Sequence, residues 1–114
     1  ITTYGVIDTW DVSGVTDMSE LFKNEITFNS DIRSWDVSSV TYMYGMFWFA
    51  SAFNQDISGW NVGAVTDMGY MFFTASAFDQ NITTWELGVV TVMSNMFNGA
   101  STFNQDIGGW DVSA

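Results

Sequence analysis

The chain has 114 residues, with 13 Asp plus Glu, 2 Lys plus Arg, no His, Cys or Pro, and a formal charge of −11. Lys23 and Arg33 alone build no basic patch for nucleic acid or an anionic membrane surface. Without Cys or His there is no disulfide framework, thiolate nucleophile, imidazole base or zinc site of the common kind. A hydrophobic fraction of 47% demands a buried core rather than an acidic disordered tail. No run of about 18 apolar residues exists, so this segment does not insert in a membrane.

The chain starts at Ile1, as a processed product or an excised piece would. From there one repeat runs throughout: Trp10, Trp35, Trp60, Trp85 and Trp110 recur every 25 residues. Ile7, Ile32, Ile57, Ile82 and Ile107 keep the same step before them, and Val12, Val37, Val62, Leu87 and Val112 after them. Next come Val15, Val40, Val65 and Val90, then Met18, Met43, Met68 and Met93. Phe22, Phe47, Phe72 and Phe97 follow, and Phe28, Phe53, Phe78 and Phe103 close each unit. No insertion breaks the register, so each unit stacks on its neighbour. The units fall at about 4–28, 29–53, 54–78 and 79–103, with 104–114 partial, in a single domain over 1–114.

In chain order, each unit divides in two. Ile-x-x-Trp-x-Val, as in Ile57 to Val62, predicts a short strand. Val65-Thr66-Asp67-Met68-Gly69-Tyr70-Met71-Phe72 is apolar at i, i+3, i+6 and i+7, which predicts about two turns of α or 3₁₀ helix. One strand and one short helix in 25 residues fall within the leucine-rich-repeat range. The expected fold is therefore an α/β repeat: a leucine-rich-repeat-like right-handed solenoid of about 4.5 coils. Its parallel sheet would line the concave side and its short helical turns the convex side. A β-helix is the runner-up. The five Trp belong to the expected structural core.

Residues 53–62, Phe-Asn-Gln-Asp-Ile-Ser-Gly-Trp-Asn-Val, followed by residues 65–72, resemble the repeat of BspA-like bacterial surface proteins, a leucine-rich-repeat variant common in surface lipoproteins. The resemblance runs from about Ile7 to Val112. It departs at Thr3-Tyr4-Gly5-Val6 and at Lys23 to Thr27, where the small-residue column of Ala50, Ala75 and Ala100 is lost. What it implies is an extracellular or cell-surface protein for adhesion or binding, with no particular ligand.

Three sets of residues are candidates for function. Trp48, Phe49, Phe73, Tyr42, Tyr44 and Tyr70 occupy columns that vary between units, which are the columns expected to be exposed. A contiguous aromatic patch there marks an interaction site; the competing reading buries them beneath the helix. Asp11, Asp36, Asn61, Glu86 and Asp111 follow the Trp residues, and Asp31, Asp56, Asn81 and Asp106 precede them. Stacked oxygens of this kind could hold calcium, though a solvated acidic face explains them more simply. Asn29, Asn54, Asp79 and Asn104 form a column best read as turn-satisfying Asx side chains.

No cofactor is expected beyond that calcium, and no enzyme, because carboxylates are the only bases and recur merely because coils recur. The expected function is a non-catalytic surface module that binds a host or neighbouring-cell protein or glycan, multiplying weak contacts along the array. The chain stops at Ala114 with no helix to cover Trp110, so it reads as a fragment of a longer array or as a unit with uncapped ends. Those ends support the alternative, a structural protein that self-associates head to tail into filaments. Ice binding by the Thr16, Thr41, Thr66 and Thr91 column is a third reading.

Overall fold

A computed structural model describes residues 7–110. The chain there is a succession of tight turns wound into stacked coils, with overall dimensions of 42 × 30 × 20 Å. The local cause is a recurring arrangement of an Asx residue followed by apolar-x-x-apolar. Asp31 Oδ1 accepts the Arg33 N–H at 3.0 Å, and the Ile32 carbonyl accepts the Trp35 N–H at 3.1 Å. Asp36 Oδ1 then accepts the Ser38 N–H, and the Val37 carbonyl accepts the Val40 N–H, each at 3.0 Å. Asp17 and Asp67 open a third turn in the first and third coils, with bonds from the N–H groups of Ser19 and Gly69. The Asx side chain starts the turn, and the three-residue step brings both apolar side chains to the inner side. Ile32, Trp35, Val37 and Val40 are all buried.

These turns overturn the expected architecture. Among the described residues, Ile7–Thr9 is a 3₁₀ turn and there is no α-helix and no strand. The chain is therefore not an α/β leucine-rich-repeat solenoid with a concave parallel sheet. Ile-x-x-Trp-x-Val does not form a strand because the Trp N–H is spent on the Ile carbonyl of its own turn. Parallel pairing survives as isolated bridges linking Asp17, Tyr42, Asp67 and Val92 in succession. The expected helix over residues 65–72 fails for a different reason. Tyr70 and Thr74 have φ of +57°, a left-handed conformation that no α-helix accommodates. Alternate N–H groups of that segment leave the coil altogether. Those of Met68, Tyr70, Phe72 and Thr74 donate to the carbonyls of Val92, Ser94, Met96 and Asn98 at 2.8–2.9 Å.

The stack is closed by side chains as well as backbone. Each buried indole donates to the Ile carbonyl of the preceding coil: Trp35 to Ile7 at 2.9 Å, Trp60 to Ile32 and Trp85 to Ile57 at 3.1 Å. Beside them two phenylalanine columns interlock. Within one coil the rings of Phe47 and Phe53 stack at 4.1 Å, and those of Phe72 and Phe78 at 4.2 Å. Between coils Phe47 and Phe72 stack at 5.5 Å, and Phe53 and Phe78 at 5.9 Å.

The Trp core expectation needs one correction. Trp35, Trp60 and Trp85 are buried and Trp110 is half-buried, but Trp10 is 38% exposed. Trp10 lies in the outermost coil of the described residues.

Two positions per coil take positive φ. One column is Glu20, Gly45, Tyr70 and Asn95; the other is Asn24, Phe49, Thr74 and Gly99. Gly99 is the most constrained: a Cβ there would lie 2.9 Å from Thr74 Oγ1 and 3.2 Å from Thr74 Cα, at a φ of +79°. Gly99→Ala is expected to lower stability by about 1–3 kcal/mol, read as a shift of the urea midpoint. Thr74→Gly, which relieves a β-branched residue in the same conformation, is expected to move the midpoint the other way.

Candidate functional site

The variable-column aromatics come together on the middle coils. Trp48 is the centre. Its ring stacks on Tyr70 at 4.8 Å, meets Phe73 edge-on at 5.5 Å and Tyr44 edge-on at 6.2 Å, and lies 6.3 Å from Phe49. Tyr44 and Tyr70 are 5.7 Å apart, and Tyr70 and Phe73 5.2 Å. Phe49 is exposed, and Trp48, Tyr44, Tyr70 and Phe73 are half-buried. The group is therefore neither core nor a set of scattered surface residues. The turns explain its position: the left-handed residues Tyr70 and Phe49 break the chain so that their side chains stand outside the phenylalanine columns. Tyr42 does not join the group. It is 49% exposed and serves as a bridge residue between Asp17 and Asp67.

A further member was not anticipated. Lys23 Nζ sits 4.1 Å from the centroid of the Trp48 ring and 3.2 Å from Glu20 Oε2. The signal was present in the register, because Lys23, Trp48 and Phe73 occupy one column at the 25-residue step. The indole Nε1 of Trp48 is buried without a hydrogen-bond partner.

The acidic columns are exposed turn builders. Asp11, Asp36, Asn61, Asp31, Asp56, Asn81 and Asp106 each accept the N–H two residues on, at 3.0 Å. Glu86 is exposed in the same column, and Asp111 lies outside the described residues. Among the described residues, no three of His, Cys, Asp and Glu group closely enough to hold a metal ion. Asn29, Asn54 and Asp79 bridge coils instead: each Oδ1 accepts a backbone N–H and a Gln Nε2 from the next coil. The hydroxyls of Thr41, Thr66 and Thr91 donate to the carbonyl of the preceding Thr.

These bonds set the acid response. Hydroxyl and backbone donors at Ser13, Ser38 and Ser58 hold the carboxyls of Asp11, Asp36 and Asp56 below the ordinary 3.8; at Asp36 the nearby Asp11 charge opposes this weakly. Asp17 and Asp79 are lowered in the same way, by Ser19 and by Gln105 with Asn104. A carboxyl whose value is depressed by folding stabilises the fold above its unfolded value, and that stabilisation is lost as pH falls through the folded value. The melting temperature is therefore expected to drop most steeply below pH 3.8. Asp36→Asn with Asp56→Asn keeps both Oδ1 acceptors and is expected to blunt that drop. Circular-dichroism melts across the acid range check both.

No helix of the described residues is long and apolar enough to cross a membrane. No curated protein and no solved structure matches the chain. A family described as "Mycoplasma protein of unknown function, DUF285" matches residues 2–110. This match corrects the resemblance to BspA-like leucine-rich-repeat surface proteins, and the keywords drawn from it, since the matching family is a different one and the coils are built from turns. With nearly the whole length matched, the chain belongs to the DUF285 family.

Proposed function

We propose that the chain is a non-catalytic binding module, displayed at a cell surface or secreted, that grips a protein or glycan through the aromatic face around Trp48. The supporting observation is the grouping of Trp48, Tyr70, Phe73, Tyr44 and Phe49 on one exposed face of a tightly bonded stack. Half-buried aromatic rings on a rigid support give large contact area at little entropic cost, which is how interface anchors work. The acidic columns keep the rest of the surface hydrated and soluble.

The test is binding of the purified chain to arrays of surface proteins and of glycans, alongside a Trp48→Ala, Phe73→Ser variant. Retained binding partners that lose about tenfold or more in affinity with the variant support the module. Equal binding by both chains, or none by either, sinks it.

One observation favours a second reading. An apolar hollow of about 180 Å³ opens beside Trp10, Val12, Val15, Leu21, Phe22 and Trp35, and Leu21 is 48% exposed. Such an apolar face, open among the described residues, is a natural contact for another copy of the chain and supports head-to-tail assembly into filaments. Electron microscopy separates the two readings, since short particles favour the module and long fibres the polymer.

A further inference from the structure

We infer that the Trp48 cluster is a cation–π docking site for a lysine- or arginine-bearing segment of a partner protein, with Lys23 acting as an intramolecular stand-in for the partner's cation. This deepens the binding-module reading and rests on it.

Two observations carry the inference. First, the chain has 2 basic residues against 13 acidic ones, and one of those two, Lys23, has placed its ammonium 4.1 Å from the Trp48 centroid. The ring face is thus shown to be a cation seat, and the Glu20 carboxylate at 3.2 Å completes the seat with a charge. Second, the seat extends beyond what one lysine fills. Tyr70 stacks on Trp48, Tyr44 tilts against Tyr70, and Phe49 stands edge-on to Phe73 at 5.8 Å, which leaves further partly exposed rings beside the occupied one. Aromatic faces carry negative quadrupole potential and attract ammonium and guanidinium groups.

Charge selects the partner. A formal charge of −11 repels an acidic protein and draws in a basic one. A neutral glycan would stack on the rings but would gain nothing from the field or from the Glu20 seat.

The experiment uses the full chain and three probes: a ten-residue lysine–glycine peptide, the same peptide with every lysine acetylated, and a neutral chito-oligosaccharide. Binding is followed by calorimetry and tryptophan fluorescence at low and physiological salt. The lysine peptide is expected to bind, with acetylation and Trp48→Leu each weakening it about tenfold. Lys23→Gln, which vacates the seat, is expected to tighten it several-fold. Equal affinity for wild type and Trp48→Leu would reduce the binding to general attraction by an acidic surface and overturn the inference. If Trp48→Leu does not fold, Lys23→Gln decides, and an unchanged affinity overturns it. Absence of binding by the lysine peptide overturns it too. Trp48-dependent binding of the oligosaccharide alone would overturn the cation preference while leaving the binding module standing, so the two failures are distinguishable.

Discussion

Phe72→Ala is expected to cost about 3–5 kcal/mol of folding stability, the usual range for truncating a buried aromatic side chain. Phe72 is fully buried and stands at the crossing of the two phenylalanine columns. Its ring contacts Phe47 and Phe97 at 5.5 Å, in the coils on either side, and Phe78 at 4.2 Å in its own. Removing it opens a cavity and interrupts two interfaces between coils at once. Stability in a stack is close to a sum of nearest-neighbour terms, so a central ring weighs more than a terminal one. Phe97→Ala, at a half-buried ring, is expected to cost visibly less. Urea unfolding of the two variants side by side gives the comparison. Equal losses would mean that the columns do not carry the cohesion between coils.

Trp60→Phe is expected to cost about 0.5–1.5 kcal/mol beyond any loss of ring contact, because it removes one of the two hydrogen bonds on the Ile32 carbonyl, which keeps the bond from the Trp35 N–H. The indole N–H of Trp60 donates to the Ile32 carbonyl at 3.1 Å, and Ile32 is fully buried. Phenylalanine preserves an aromatic ring near Phe47, now 6.4 Å from the Trp60 ring, but has no N–H to offer. Trp110→Phe removes the corresponding bond to Ile82 at a half-buried site, where water replaces the lost donor, so a smaller effect is expected. Thermal melts of both variants measure the difference. It isolates the indole hydrogen bond from indole packing, which no alanine substitution does.

The 25-residue step was legible in the Trp column, and the same step separates the Thr residues whose hydroxyls and carbonyls bond between coils. The secondary structure was misread because apolar i, i+3 spacing is shared by a helix and by consecutive β-turns. What separates them lies one residue earlier. Asp31 stands directly before Ile32, Asp36 before Val37 and Asp67 before Met68, each with its Oδ1 on the N–H two residues ahead. Asx residues at that spacing are turn starters. The left-handed columns are less readable, since Glu20 and Tyr70 in one and Phe49 and Thr74 in the other take the conformation without being glycine or asparagine. Only tertiary bonding, such as Thr74 N–H to the Asn98 carbonyl at 2.8 Å, imposes it.

Of the candidate site, five aromatics were found from their variable columns. Tyr42 stands apart from that group, because its column holds the bridge residues Asp17, Asp67 and Val92 and belongs to the joint between coils. The register places Lys23 in the Trp48 column, but a lysine at a variable position reads as ordinary surface. Its contact with Trp48 needs the neighbouring coil to be in place.

Paired cysteines provide the most direct measurement of the stacking, because the chain contains none of its own. Thr66 donates its N–H to the Thr41 carbonyl at 2.8 Å, and Thr41 donates its N–H to Thr16 at 2.7 Å. Thr41→Cys with Thr66→Cys therefore places two thiols on adjacent coils within disulfide reach, whereas Thr16→Cys with Thr66→Cys leaves a whole coil between them. Mild oxidation is predicted to close an intramolecular disulfide in the first pair and not in the second. Equal closure in both pairs, or none in the adjacent pair, would contradict the stack.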